Sequence, residues 1–327
     1  NDKGTIQVDT GRLAFSDPRR TLNGEARAEV GLRDLETLWF NTGTLCNIEC
    51  LNCYIESSPT NDSYVYLTLA DVRAVLDEVV TLGYGTREIA FTGGEPFLNP
   101  EMIAMADLCL ERGYQVLILT NAMQPMQRPR VKQALLDLRA AHGDRLHLRI
   151  SIDHYSARLH DEERGRGSFE RTMDGVRWLA QGGFRLSLAG RTRWGEDEAA
   201  LRAGYATLFR DNAIPVDAAD PAALVLFPEM DETAEVPEIT TACWDILNVS
   251  PDAMMCASSR MVVRKKGADR ISVLPCTLLT HDSGFEMGGS LAEAARADGG
   301  NFHDGRVRLN HPHCARFCVL GGGSCTG

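Results

Sequence analysis

From Leu35 onward the chain alternates short apolar runs with longer amphipathic stretches. Leu38-Trp39-Phe40 is the first run. It ends in the turn-like Asn41-Thr42-Gly43-Thr44, which reads as a strand running into a loop. Thr68 is placed to cap a helix with apolar positions at Leu69, Val72, Val75, Leu76, Val79 and Val80, stopped by Gly83. A strand over 88–91 follows and ends in Thr92-Gly93-Gly94-Glu95-Pro96. Asn99 and Pro100 then open a helix through Leu110, stopped by Gly113. The same alternation gives strands over 115–119, 146–152, 184–189 and 223–227. Between them it gives helices over about 130–141, 169–181 and 196–209.

The strands are continuous apolar runs, as expected where both sheet faces are covered. Six β/α repeats of this kind predict an α/β fold, a partial (β/α)6 TIM-like barrel. In such barrels chemistry gathers at the strand C-termini, where the polar and glycine residues just named fall. Residues 1–34 are polar, Gly/Arg-rich and without a clear period, and read as an N-terminal extension. The barrel is expected over 35–230. After about Asp231 the alternation stops, and 231–327 reads as a Cys-rich domain organised by metal rather than by a large core. The chain does not begin with Met, so whether its N-terminus is complete stays open.

Composition adds exclusions. Of 327 residues, 44% are hydrophobic and 24% charged, an ordinary globular balance. No run approaches ~20 apolar residues, so no membrane span is expected. The net charge of −11 argues against a nucleic-acid binder. Ten cysteines, which include two tight groups near opposite ends, point to metal sites in a reducing, cytoplasmic setting rather than to disulfides. Cys109, between Leu108 and Leu110, reads as a small core residue. His160-Asp161 and Arg164-Gly165 look like a capped turn between strand and helix.

Cys46, Cys50 and Cys53 have the spacing C-x3-C-x2-C in the loop after the first strand. Three close thiolates can wrap a cubane [4Fe–4S] cluster and leave one iron open for another ligand. A structural zinc would need a fourth ligand, and no His or Cys lies between Cys53 and Cys109.

Taken together, 35–227 resembles the radical SAM superfamily, enzymes of S-adenosylmethionine (SAM). The resemblance rests on the cysteine loop after strand one, Gly93-Gly94-Glu95-Pro96 after strand two and Thr120-Asn121 after strand three. Ser151 and Asp153 after strand four and Arg191 after strand five complete it. It implies that Cys46, Cys50 and Cys53 hold the SAM-binding cluster. It also implies that Gly93, Gly94, Glu95, Asn121, Ser151, Asp153 and Arg191 contact SAM. One electron would then split SAM into methionine and a 5′-deoxyadenosyl radical that abstracts a substrate hydrogen. One position departs: where the family usually carries an aromatic residue against adenine, this chain has Asn52, and Tyr54 follows two later.

The second group is Cys314-x3-Cys318-x6-Cys325. Upstream, Cys256 and Cys276 flank a segment that reads as a hairpin around Gly267. This resembles the SPASM/twitch extension and implies at least one auxiliary [4Fe–4S] cluster, with ligands from Cys256, Cys276, Cys314, Cys318 and Cys325; Cys243 is a spare. Spacing alone leaves a tetrathiolate zinc open. His311 and His313 are expected near the site rather than on the metal. The substrate expected from the resemblance is a peptide or, alternatively, a small molecule or cofactor precursor. A flavodoxin or ferredoxin would be the low-potential electron donor. The rival class is a non-catalytic iron–sulfur electron carrier, which would need neither the Gly-Gly-Glu-Pro turn nor a barrel.

Overall fold

The computed structural model describes residues 13–322 except Met230, Glu232 and Ala234. Six strands and their helices follow one another as the periodicity predicts. They are β1 Thr37–Asn41, α1 Leu69–Thr81, β2 Glu88–Thr92, α2 Met102–Glu111, β3 Gln115–Thr120, α3 Pro129–His142 and β4 Leu146–Ser151. After β4 come α4 Ala157–Arg164, α5 Ser168–Gln181, β5 Arg185–Arg191, α6 Glu198–Asp211 and β6 Leu224–Phe227. β1 to β6 pair in chain order, all parallel, with helices as crossovers.

The local chemistry explains the boundaries. Thr68 caps α1 in a reciprocal box: the Asp71 amide donates to Thr68 Oγ1 at 3.1 Å and the Thr68 amide to Asp71 Oδ2 at 3.0 Å. The stripe Val72, Val75, Leu76 and Val79 is buried, each side chain contributing about 1.5–3 kcal/mol. Val80, expected on that stripe, is 69% exposed, because it lies a full residue step round the helix from Val79. α4 fills a segment expected to be a turn. Its buried positions are His160 and Glu163, spaced three apart but polar, so the helical period was invisible in hydrophobicity. The capping part of that expectation holds. Asp161 accepts from the amides of Gly167 at 2.7 Å and Phe169 at 2.8 Å and so starts α5.

The sheet does not end with β6. β7 Ser259–Val263 pairs parallel with the outer side of β1, and β8 Ser272–Leu274 folds back on β7 antiparallel. These are the two arms of the expected hairpin. The result is one eight-stranded sheet in the order β6-β5-β4-β3-β2-β1-β7-β8, open between β6 and β8. The N-terminal segment is stitched to the far end of the chain. Its strand Glu29–Val30 pairs with Arg306–Arg308, and buried Arg27 is bonded to Glu238 at 2.5 Å. Among the described residues no helix is long and apolar enough to cross a membrane.

Candidate iron–sulfur and SAM site

The loop from β1 carries the first cysteines to the C-terminal edge of the sheet. Cys46 is buried and its amide donates to Ser58 O at 3.0 Å; Cys50 and Cys53 are half-buried. The loop is held from outside by the end of α4. The Leu51 amide donates to Glu163 O at 3.0 Å, the Asn52 amide to Glu163 Oε1 at 2.8 Å, and Asn52 Nδ2 to Glu163 Oε2 at 2.9 Å. Arg191 Nη1 donates to Asn52 O at 3.0 Å and to Glu163 Oε1 at 3.1 Å, and Arg193 also binds Glu163. Asn52, irregular as a sequence position, is thus one half of a polar clamp whose other half is a fully buried carboxylate.

β2 delivers the two glycines against the same loop. A Cβ on Gly93 would lie 2.7 Å from Gly43 O and from Thr42 Oγ1, and the residue has φ +144°. A Cβ on Gly94 would lie 2.2 Å from Leu45 O. The glycines therefore let β2 and the cysteine loop touch backbone to backbone. The Gly94 amide donates to Gly43 O at 2.8 Å and the Glu95 amide to Leu45 O at 3.1 Å. Glu95 points inward, buried. It accepts from the Phe97 amide at 3.2 Å, Thr120 Oγ1 at 2.8 Å and the Asn121 amide at 2.9 Å. Burial pushes its carboxyl up to about 7 against the pull of those donors. Asn121 Nδ2 in turn donates to Asn47 Oδ1 at 2.9 Å and lies 3.9 Å from Cys46 Sγ.

At the end of β4, Ser151 and Asp153 face the same cavity. The Asp153 carboxylate is gripped by Arg164, with Nε to Oδ2 at 2.6 Å and Nη2 to Oδ1 at 3.0 Å. Burial opposes the charge on Asp153, but Arg164 beside it holds the carboxyl below its ordinary range. Arg164 lines the cavity with all three cysteines. Burial works against its charge, yet Asp153 and the Cys50 and Cys53 sulfurs hold it protonated. The Asp153 amide donates to His160 Nδ1 at 3.2 Å, and burial lowers that imidazole to about 4, so it stays neutral.

Burial pushes the Cys46 thiol up to about 12 and Cys50 to about 11. Thiols of this kind give up their protons only to a metal. With Cys53 they line a glycine-walled cavity, a set of three thiol donors that would suit a cubane cluster.

The C-terminal cysteines converge as the hairpin reading requires. Cys256 precedes β7, Cys276 follows β8, and Cys314 and Cys318 sit one turn apart on the π-type turn Cys314–Val319. The Cys314 thiol is pushed well up, first by burial and then by Cys318, Cys276 and Cys256, so the four sulfurs share one neighbourhood. Cys325 lies outside the described residues. Cys243 is apart: its sulfur serves as a local acceptor for the Thr240 amide at 3.3 Å. Cys109 is fully buried in the core. Among the described residues no three His, Cys, Asp or Glu side chains are gathered tightly enough to hold a single ion. A cubane spreads its thiolates over separate irons and suits that wider spacing better than zinc does.

Thr277 and Phe317, the chain neighbours of Cys276 and Cys318, line the same cavity as Cys46, Cys50 and Cys53. Phe317 stacks on Phe227 of β6 with centroids 6.3 Å apart. Glu163 and Arg164 are the residues that sequence reasoning missed. The only hint was a pair of adjacent charges at the end of the segment after a barrel strand.

Residues 40–191 match the Radical SAM superfamily. AlbA of Bacillus subtilis, a biosynthesis protein of the antilisterial bacteriocin subtilosin, is 29% identical over 145 residues, 44% of this chain and 30% of AlbA. An AdoMet-dependent heme synthase of Methanosarcina barkeri is 32% identical over 147 residues, 44% of this chain and 38% of the synthase. The matched stretch thus spans well under half of these relatives. Among solved structures, Streptococcus suis SuiB bound to SAM superposes with a TM-score of 0.59 at 12% identity, covering 81% of this chain and 66% of SuiB. SuiB is also known bound to its precursor peptide SuiA, and that form superposes with a TM-score of 0.56 at 12% identity, covering 77% of this chain and 62% of SuiB. The match begins in β1 and ends at the last residue of β5, so it contains the cysteine loop, the Gly-Gly-Glu-Pro turn and the ends of β1 to β5, while Phe227 at the end of β6, which also lines the cavity, lies beyond it. By that match residues 40–191, a little under half of the chain, are similar to the radical SAM superfamily, whose SAM-dependent enzymes are built around a [4Fe–4S] cluster; Cys256, Cys276, Cys314 and Cys318 lie beyond the matched stretch.

Proposed function

We propose that this chain modifies a peptide by radical chemistry, with one iron–sulfur centre facing the cavity and a second behind its wall. Cys46, Cys50 and Cys53 hold the SAM-binding cluster. Cys256, Cys276, Cys314 and Cys318 hold the auxiliary one, with Cys325 as a further candidate. When bound, the first cluster supplies the electron that splits SAM. The chain's own contribution is to place and shield. Gly93 and Gly94 keep the strand end flush with the cysteine loop, Asn121 and Ser151 present polar groups, and Glu163 fixes the loop through Asn52. Arg191 lines the cavity and is already paired with Glu163, so contact with a SAM carboxylate would be shared with that pair.

The observation that carries the reading is the lining of that cavity. Thr277 and Phe317, chain neighbours of Cys276 and Cys318, line the space faced by the first cluster, which supports a second centre behind the wall of that cavity. The peptide class is supported by AlbA and by the SuiB–SuiA complex. A small-molecule reading, such as oxidation of a cofactor precursor, is favoured by the similarity to heme synthases. A low-potential flavodoxin or ferredoxin in the cytoplasm would supply electrons.

The test is anaerobic reconstitution followed by SAM and dithionite. The reading expects 5′-deoxyadenosine and about eight iron per chain, and loss of the nucleoside in Cys50→Ala. Protein with intact clusters and no nucleoside sinks it. A mass change in a short peptide encoded beside this gene decides for the peptide class.

A further inference from the structure

Each cysteine group has a guanidinium against it, half-buried Arg164 at the first and buried Arg260 at the second, and the two differ in how they are compensated. Arg164, beside Cys50 and Cys53, is neutralised by the bidentate Asp153. Arg260, on β7, is 2% exposed and stands in the otherwise apolar run Met261-Val262-Val263. Its Nη1 donates to Cys256 O at 2.6 Å and to Ser259 O at 2.8 Å. Among the described residues no carboxylate pairs with it. The groups that favour its charge are the Cys256 sulfur, the Tyr84 hydroxyl and the Cys276 sulfur, with burial acting the other way. A buried cation without a carboxylate is costly unless an anion completes the site. A cluster with four thiolate ligands is such an anion.

We propose that Arg260 is the built-in counter-charge of the C-terminal thiolate centre and raises its reduction potential above that of the SAM-binding cluster. The inference rests on the auxiliary-cluster reading above. Each added electron makes a thiolate-ligated cluster more negative. A fixed positive charge, shielded from water, therefore favours the reduced form, and charge and burial are among the levers that set such potentials. At the N-terminal centre Asp153 cancels the equivalent charge, so that cluster keeps the low potential that cleaving SAM needs. Arg260 is a positioning residue in this scheme: it touches Cys256 through the backbone and the cluster through its field, and it does not touch the cavity that receives SAM.

The experiment is a redox titration of the reconstituted full chain, followed by electron paramagnetic resonance with and without SAM. SAM binds the open iron, so it perturbs the N-terminal signal and leaves the C-terminal one. Arg260→Gln is expected to move the SAM-insensitive midpoint to more negative potential and leave the SAM-sensitive one in place. Arg260→Lys, which keeps the charge, is expected to stay close to the wild-type midpoint. Equal midpoints in all three proteins, at equal iron and sulfide, overturn the proposal. A shift in the Lys variant as large as that in Gln also overturns it, because packing rather than charge would then be responsible. Should Gln and Arg260→Met fail to hold the C-terminal cluster while Lys retains it, the counter-charge is supported through loading; loss from all three refutes it. A wild-type chain with only about four iron and no SAM-insensitive signal removes the auxiliary centre itself, a failure distinguishable from that of Arg260.

Discussion

Arg164→Met strands a carboxylate. Asp153 is deeply buried, and both of its oxygens are bonded to Arg164 at 2.6 and 3.0 Å. Removing one partner of such a pair costs about 3–5 kcal/mol, because the remaining charge is left desolvated. At this chain length ~2 °C is lost per kcal/mol, so the unloaded protein should melt about 6–10 °C lower. The direction with pH follows from linkage. Arg164 holds Asp153 below its ordinary value of 3.8, so the pair's stabilisation is present above that value and is lost as pH falls through the lowered one. Without Arg164, burial raises Asp153 instead, and the variant relieves its penalty by taking up a proton. The gap between wild type and variant should therefore narrow as pH falls toward 4. Asp153→Asn with Arg164→Met removes both charges and should recover most of the loss. Melting of Arg164→Met, Asp153→Asn and the double variant in the unloaded state, over a pH series, is the assay. Losses that simply add in the double variant would refute the coupling.

Three further outcomes follow from the same geometry. Gly94→Ala should cost about 1–3 kcal/mol and lower iron uptake, since its Cβ would meet Leu45 O at 2.2 Å; unchanged melting and iron content would count against the close backbone contact. Glu163→Ala should weaken iron loading at Cys46, Cys50 and Cys53 more than at the C-terminal group, because Asn52, Arg191 and Arg193 lose their shared acceptor; iron analysis under limiting iron reads it. Glu95 has a carboxyl raised from 4.5 to about 7. Its favourable protonated form is therefore complete below 4.5 and lost as pH rises through 7, and Glu95→Gln should flatten the stability of the unloaded protein across that window.

What the sequence revealed follows what hydrophobicity can encode. The strand runs at 37–41, 88–92 and 115–120 are apolar on both faces, and their polar ends mark the cavity directly. The hairpin between Cys256 and Cys276 was legible from its glycine turn. That β7 joins the outer side of β1 was not, because a parallel pairing over so long a separation leaves no local pattern. α4 was hidden for a different reason: its buried face is made of His160 and Glu163, which a hydrophobic period does not register. Arg260 carried no signal of its own in the sequence, and its strand is buried at every position. The polar residues that hold the cysteines are thus those whose burial depends on partners distant in sequence.

The pairing of β1 with β7 also sets the order in which this protein can form. Thr37 is matched to Ser259, about 220 residues later, so the first strand of the eight-stranded sheet waits for nearly the last quarter of the chain. Until then β1, whose five residues all end up buried, presents an unpaired apolar edge, the kind that recruits other chains. A fragment ending at 230 would retain every residue of the family match and still keep that edge open. It should therefore be insoluble where the full chain is not, which makes the C-terminal segment a late folding partner of the barrel as well as the bearer of its second cysteine group.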